Sequence, residues 1–304
     1  MAKFRRNHTN VSKESGGMIT KVGLFGAIVA GLYFLFNFFA NADFSENLQT
    51  EEGHKPSKYV GEAHFLPAAL PHSTIYHYKR YSLSYNERYE QADWVAYVLE
   101  GENLRKPWAE RSDNFRPDPS ISSKSATPDD YRGSGYDRGH MVPAADMAYD
   151  AEAMDETFLM SNISPQARNF NQGVWRELEE LTRDWAKKYK RLYVVSGPVL
   201  SEKPKAYIGR DNKVAVPTAY FKVLLDLDEP EQKAIAFLLP NEVSYKPLFE
   251  FATSIDEVEA VTGIDFFADF MPESLEVELE SNFNTDLWYF SKQKYDIRVN
   301  KWNK

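Results

Sequence analysis

Cysteine is absent from the 304 residues, and histidine is scarce: five of the six lie before residue 78. Without cysteine there are no disulfides, zinc–thiolate sites, iron–sulfur clusters or thiol nucleophiles. With so few histidines a transition-metal centre is disfavoured too. Any bound metal is expected to be a hard cation on oxygen ligands, namely magnesium, calcium or manganese. Excess positive charge is also missing. The net charge is −9, and residues 1–42 hold Lys3, Arg5, Arg6, Lys13 and Lys21 against Glu14, a balance of +4 that leaves −13 on the remainder. That argues against a protein that coats nucleic acid by bulk attraction. It leaves room for an enzyme with a local cationic cleft, because a transient phosphodiester substrate needs positive charge at one place only. Aromatic side chains, in contrast, make up 14% of the chain, and its length suffices for one large domain or two small ones.

The chain has one long hydrophobic run. No charged residue falls between Lys21 and Asp43, and residues 22–42 read VGLFGAIVAGLYFLFNFFANA. As a helix at ~1.5 Å per residue this run spans roughly 31 Å, close to the hydrocarbon thickness of a bilayer. The five basic residues all precede it, so residues 1–21 are expected in the cytoplasm and the body on the extracytoplasmic side, periplasmic or extracellular. The run is longer than the core of a signal peptide, about 7–15 residues, which favours an uncleaved membrane anchor. Ala40-Asn41-Ala42 has the small-x-small pattern of a processing site, and cleavage after Ala42 would secrete the body instead.

Residues 43–64 are polar and serve as a tether, leaving a single domain over residues 65–304. Within it, residues 93–99 (DWVAYVL) are apolar on both faces, as in an interior strand. Residues 111–136 are rich in Ser, Pro, Asp, Gly and Arg, and irregular stretches of such length tend to be functional. Phe170, Val174, Leu178, Leu181, Trp185 and Tyr189 recur at helical spacing. Residues 192–195 suggest a buried strand, 220–227 and 234–239 a hairpin, and 255–261 a short helix closed by Gly263. Strands mixed with segregated helices predict an α+β fold.

His140, in Tyr136-Asp137-Arg138-Gly139-His140-Met141, is the sole histidine of the last 227 residues. If the body is a histidine-dependent hydrolase, this is its base, since only histidine titrates near neutrality unperturbed. Taken alone, such a histidine is ordinarily a core residue held by hydrogen bonds. Beside the helix's apolar stripe, Asn171, Trp175 and Glu179 stand at i, i+4 and i+8, a second stripe offset by about 100°. Asn171 could bind a hard cation through its amide oxygen, and Glu179 could hold the cation's water. Taken alone, these residues are an ordinary solvated flank. Together with His140 they supply what phosphodiester hydrolysis needs: a base for water, charge for the developing phosphorane, and stabilisation of the leaving oxygen. Arg138 and an arginine from Arg111, Arg116 and Arg132 could add charge. A single neutral ligand leaves a cation most of its waters, which suits magnesium.

The motifs Asp137-Arg138-Gly139-His140, then Ser161-Asn162-Ile163-Ser164-Pro165-Gln166, then Asn171-Gln172-Gly173-x-Trp175-x-x-x-Glu179 resemble the DNA/RNA non-specific endonucleases. These are the sugar-non-specific nucleases of the ββα-metal (His-Me finger) superfamily, to which endonuclease G also belongs. The resemblance runs over roughly 81–199 and more loosely to about residue 263. It implies a ββα-metal fold with an antiparallel sheet and a long metal-bearing helix, here preceded by the transmembrane segment. It implies a Mg²⁺-dependent endonuclease acting on DNA and RNA, with Mn²⁺ as a substitute metal. His140 would be the general base, Asn171 the sole protein ligand of the metal, and Glu179 the organiser of its water. Asn162 would position the catalytic groups and Arg138 would stabilise the phosphate. A further family arginine lies upstream, in a stretch ending in Asp-Pro; the alignment favours Arg111 but needs a gap, with Arg116 as the alternative, and Asp137 would brace the loop. Two departures are the acidic body and the lack of the cysteines found in some secreted relatives. Outside this reading stand a non-catalytic, surface-tethered module that binds nucleic acid or protein, and a phosphodiesterase for small nucleotides. Nothing in the sequence indicates an oligomeric state, although some members of the family pair.

Overall fold

The computed structural model describes residues 65–228, 231–268 and 270–303. Along the chain run β1 (Thr74–His77), β2 (Ser82–Asn86), β3 (Gln91–Glu100), α1 (Pro128–Tyr131), β4 (Tyr136–His140), α2 (Ala151–Glu156), β5 (Ile163–Ala167), α3 (Arg176–Tyr189), β6 (Arg191–Val199), β7 (Tyr207–Ile208), β8 (Val214–Ala215), β9 (Ala219–Asp226), β10 (Lys233–Pro240), β11 (Ala252–Thr253), α4 (Ile255–Thr262), α5 (Glu273–Ser281) and α6 (Lys292–Ile297). The main sheet has the order β1-β2-β3-β6-β9-β10-β11, antiparallel throughout.

Period-two alternation sorts β3 between two layers, which is why both of its faces are apolar. Val95, Tyr97 and Leu99 join Leu83, Val194, Leu224 and Phe237, and this core is closed by Phe170, Val174, Leu178, Leu181 and Trp185. Trp94 and Ala96 face the other way, with Val195, Val223, Ala236 and, from α4 and α5, Ile255, Val258 and Leu279. The expected hairpin is β9–β10, in register from Ala219↔Pro240 to Asp226↔Lys233. The expected short helix is α4, capped by Ser254 and closed by Gly263 at φ 70°, a left-handed position where glycine carries no Cβ penalty.

The long helix departs from simple periodicity at its start. Residues Phe170–Trp175 form a π-helical turn, and the α-helix proper is Arg176–Tyr189. A wider turn breaks the 100° arithmetic, so Asn171 and Glu179 do not share one straight stripe, and Trp175 is fully buried instead of lying on a flank. Gly173, inside this turn, has non-helical dihedrals (φ −105°, ψ −108°), and the chain's end packs against it. A Cβ at Gly173 would stand 2.5 Å from Asn303 Oδ1. Nearby, the buried Arg298 pairs with the buried Glu177 at 2.5 Å and donates to the carbonyls of Ser244 and Lys246.

Between β3 and α3 the hydrophobic pattern predicts no strand, yet β4 and β5 pair as a separate antiparallel ribbon, from Tyr136↔Ala167 to His140↔Ile163. Its strands have little apolar alternation, and side chains of the main sheet pin it. The Ser164 hydroxyl donates to Gln91 Oε1, Tyr220 OH donates to the Pro165 carbonyl at 2.9 Å, and Ser196 Oγ donates to the Met141 carbonyl at 3.1 Å. Strand, strand and helix therefore follow one another, with His140 at the end of the first. No helix among the described residues is long and apolar enough to cross a membrane. The apolar run and the tether read at residues 22–64 lie outside the described residues.

Candidate active site

His140 ends β4 half-buried, boxed by two phenyl rings: Phe158 meets it edge-on at 5.0 Å and Phe115 lies tilted at 5.4 Å. The Arg138 guanidinium stacks over Phe115 at 4.1 Å, and that of Arg111 over Phe158 at 4.9 Å. The two rings thus hold two cations beside one imidazole. Burial, then the charge of Arg111 and, more weakly, Arg138 push the His140 pKa down to about 3, with Asp113 opposing. The ring is neutral at physiological pH, and its Nε2 is buried without a hydrogen-bond partner among the described residues.

Of the two upstream arginines, the structure brings Arg111 to His140. It holds Arg116 elsewhere, in an ion pair with Asp155 at 2.7 Å. Arg111 itself donates from Nε to Asp113 at 2.7 Å, leaving its other nitrogens toward the ring pair. Arg132 pairs with Asp129 on the exposed turn of α1.

Asn162 lies behind the base and is fully buried. Its Nδ2 donates to the carbonyls of Val142 (3.1 Å) and Thr157 (2.9 Å), and its Oδ1 accepts from Val142 N–H at 2.9 Å. Met141 N–H donates to its backbone carbonyl. Every strong bond of this side chain goes to backbone, so it cannot touch substrate; it fixes the chain leaving His140. Gly139 is required by close approach, since a Cβ there would collide with the buried Gln166 side chain.

Asn171 is tied to the same strand. Its Nδ2 donates to Asp137 Oδ2 at 3.2 Å, and Gln172 Nε2 does so at 3.3 Å. Asp137 is therefore a brace between β4 and the π-turn. The half-buried Asn171 has no hydrogen bond to Oδ1 among the described residues, so this oxygen is its available ligand. Glu179 is set apart, two turns on, in a charge cluster against the sheet. Arg183 pairs with the buried Asp146 at 2.8 Å, and Tyr97 OH donates to Asp146 at 2.7 Å. Lys222, fully buried on β9, sits 5.0 Å from the Trp175 ring centre. Burial raises the Glu179 carboxyl to about 7 despite Arg183 and Lys222, and burial lowers Lys222 to about 8. No hydrogen bond or ion pair among the described residues joins Glu179 to Asn171 or His140.

The family model for DNA/RNA non-specific endonucleases matches residues 67–271. The chain belongs to this family. It is 36% identical over 216 residues to a nuclease of Nostoc sp., covering 66% of this chain and 76% of that one. It is 37% identical over 199 residues to human mitochondrial endonuclease G (61% and 67% covered) and 35% identical over 245 residues to the mitochondrial nuclease EXOG of Danio rerio (76% and 70%). A crystal structure of an EndoG/EndoGI complex superposes with a TM-score of 0.59 at 34% identity, over 64% of this chain and 85% of that one. The mixed α/β architecture with a large antiparallel sheet is shared with that structure.

For this non-specific endonuclease, three partners of the site were missed in the sequence, and two were legible there. Arg183 stands four residues after Glu179, within reach along a helix. Lys222 interrupts the apolar strand AYFKVLLD, an anomaly in a buried element. Asp146 carried no signal, because its partners come from β3 and α3. The donor set fits a hydrated hard cation. Asn171 presents a free amide oxygen, and Glu179 presents a carboxylate whose two cationic neighbours offset its burial only in part.

Proposed function

We propose that this endonuclease is a Mg²⁺-dependent phosphodiesterase of DNA and RNA in which His140 takes the proton of the attacking water. One observation carries the reading: a neutral, half-buried imidazole stands beside two guanidinium groups held on its neighbouring phenyl rings. A water that reaches the ring's other nitrogen, Nδ1, can lose its proton there while its oxygen bonds to phosphorus and the bond to the leaving oxygen breaks. Arg111 and Arg138 hold the phosphate and offset the charge that builds on its oxygens. The same two cations weaken the base before substrate arrives. A bound phosphate offsets them, so His140 gains basicity when there is a proton to take.

Asn171 would hold the divalent cation, with Glu179 ordering its waters and Mn²⁺ able to replace Mg²⁺. The cation, when bound, supplies positive charge to the phosphate and the leaving oxygen. Asn162 and Asp137 position, the first holding the base's strand and the second joining that strand to Asn171. Contacts of this kind address phosphates, which carry no sequence information directly, so weak base preference follows. Residues 22–42 would anchor the domain on the extracytoplasmic side of a membrane.

The test is cleavage of plasmid DNA and of RNA by the purified full-length chain, in Mg²⁺ and in EDTA, beside His140→Ala. Loss of the general base should cost ~10²–10⁴-fold in rate. Undiminished cleavage by the variant, or by the wild type in EDTA, would sink the mechanism.

A further inference from the structure

The acidity of this chain is concentrated. Residues 247–291 contain eleven Asp and Glu and not one Lys or Arg. Three of these carboxylates converge where α4 meets α5. Single oxygens of Asp256, Glu259 and Glu280 all lie within 4.8 Å of one another. Asp256 and Glu259 are at i and i+3, on one face of α4, while Glu280 is the penultimate residue of α5. Glu259 Oε1 is already oriented, accepting from Phe266 N–H at 2.8 Å.

Repulsion among surface acids is ordinary and would be relieved by turning outward. Glu280 does not turn outward. It is 7% exposed, and its Oε1 is buried with no hydrogen-bond partner among the described residues. An unpartnered carboxylate oxygen in such a place costs several kcal/mol in general unless a proton or a cation meets it.

We propose that Asp256, Glu259 and Glu280 form a divalent-cation site, of Ca²⁺ type, that ties the end of α5 to α4. Three ligands at ~2.3–2.6 Å from one Ca²⁺ ion can stand about 4.0–4.5 Å from one another, so small side-chain shifts bring the three oxygens onto one ion. Mg²⁺, at ~2.0–2.1 Å, needs them within about 3.6 Å and keeps its waters. Asp256 is exposed and Glu259 half-exposed, so water completes the coordination sphere. The site is structural and separate from the phosphodiester chemistry. Glu280 lies beyond the 67–271 segment that the family model matches.

The experiment is thermal unfolding and titration calorimetry of the full-length chain with CaCl₂ as the probe, on an Asn171→Ala background so that the catalytic cation does not contribute. One Ca²⁺ should bind with a Kd of ~10⁻⁴–10⁻³ M, and roughly 1 mM should raise Tm by about 2–4 °C. Glu280→Gln should raise the metal-free Tm and abolish both the Ca²⁺ shift and the calorimetric site. Asp256→Asn, on the exposed side, should weaken binding about tenfold and leave the metal-free fold intact. An equal Ca²⁺ shift with and without Glu280→Gln, or no Ca²⁺ binding by the parent, would overturn the proposal.

Discussion

The two layers on either side of the main sheet carry opposite chemistry. On one, Arg111 and Arg138 crowd a neutral imidazole, and Arg183 and Lys222 flank Glu179. On the other, α4 and α5 belong to a segment with eleven carboxylates and no cation, nearly the whole negative excess of the body. Net charge, as a sum over surfaces with different tasks, is therefore a poor guide to this chain's affinity for polyanions. The acidity that seemed at odds with a nuclease lies largely away from the base. The same difference says how each layer should respond to mutation. His140→Ala should cost ~10²–10⁴-fold in cleavage, whereas Glu280→Gln should leave cleavage unchanged and move only thermal stability. Equal losses in a plasmid assay would show that the layers are not independent.

Two asparagines give the next contrast, within one layer. Asn171→Ala removes the proposed cation ligand and one 3.2 Å bond to Asp137. Cleavage should fall at least ~10²-fold, the upper range for losing a mere outer partner of a metal, with stability changed by less than about 1 kcal/mol. Asn162→Ala leaves two carbonyls and an N–H of the buried backbone unpaired. It should cost about 2–5 kcal/mol and lower Tm by roughly 10 °C, and activity should be lost through the fold. Excess Mg²⁺ should partly restore the first variant and not the second. Rescue of Asn162→Ala by Mg²⁺ would reassign that residue to the metal.

What the sequence disclosed follows this division between burial and polar contact. Phe170, Val174, Leu178, Leu181 and Trp185 announced their helix because burial against a sheet imposes its period on them, and β3 and the β9–β10 hairpin were legible for the same reason. The ribbon was not. Tyr136–His140 has no apolar alternation, and the groups that fix it, Gln91, Ser196 and Tyr220, are distant in the chain. The π-turn was hidden because its non-helical residue, Gly173, packs against Asn303 from the last residues, a contact distant in the chain. Helix α5 offers only Leu275 and Leu279 to the core, too few for a periodic signal. Motif residues point to the candidate site, then, while the geometry decides which neighbours adjoin them.

Arg111 and Arg116 show that decision most plainly, and they predict a smaller pair of effects. Arg111→Ala should lower kcat/KM about 10–100-fold, as expected for one charge-assisted contact to phosphate of roughly 1.5–3 kcal/mol. Arg116→Ala removes a half-exposed pair with Asp155 and should cost about 1 kcal/mol or less of stability with cleavage nearly intact. Reversed results would mean that the loop rearranges when substrate binds.

A last effect tests the base without any substrate. His140 holds a pKa of about 3 in the fold, against roughly 6.5 in an unfolded chain. Above about pH 6.5 both states are neutral here and the residue makes no pH-dependent contribution. As pH falls from there toward 3, the unfolded chain takes a proton that the folded site refuses, so folding stability declines until the folded site is protonated too. His140→Asn should flatten that part of the Tm–pH curve, although other groups will keep some slope. Inorganic phosphate should oppose the decline in the wild type alone, because an anion beside Arg111 and Arg138 lifts the imidazole toward its ordinary range. A ring that titrates near 6.5 by NMR with phosphate absent would mean that the arginines do not weaken the base, and the substrate would then have nothing to restore.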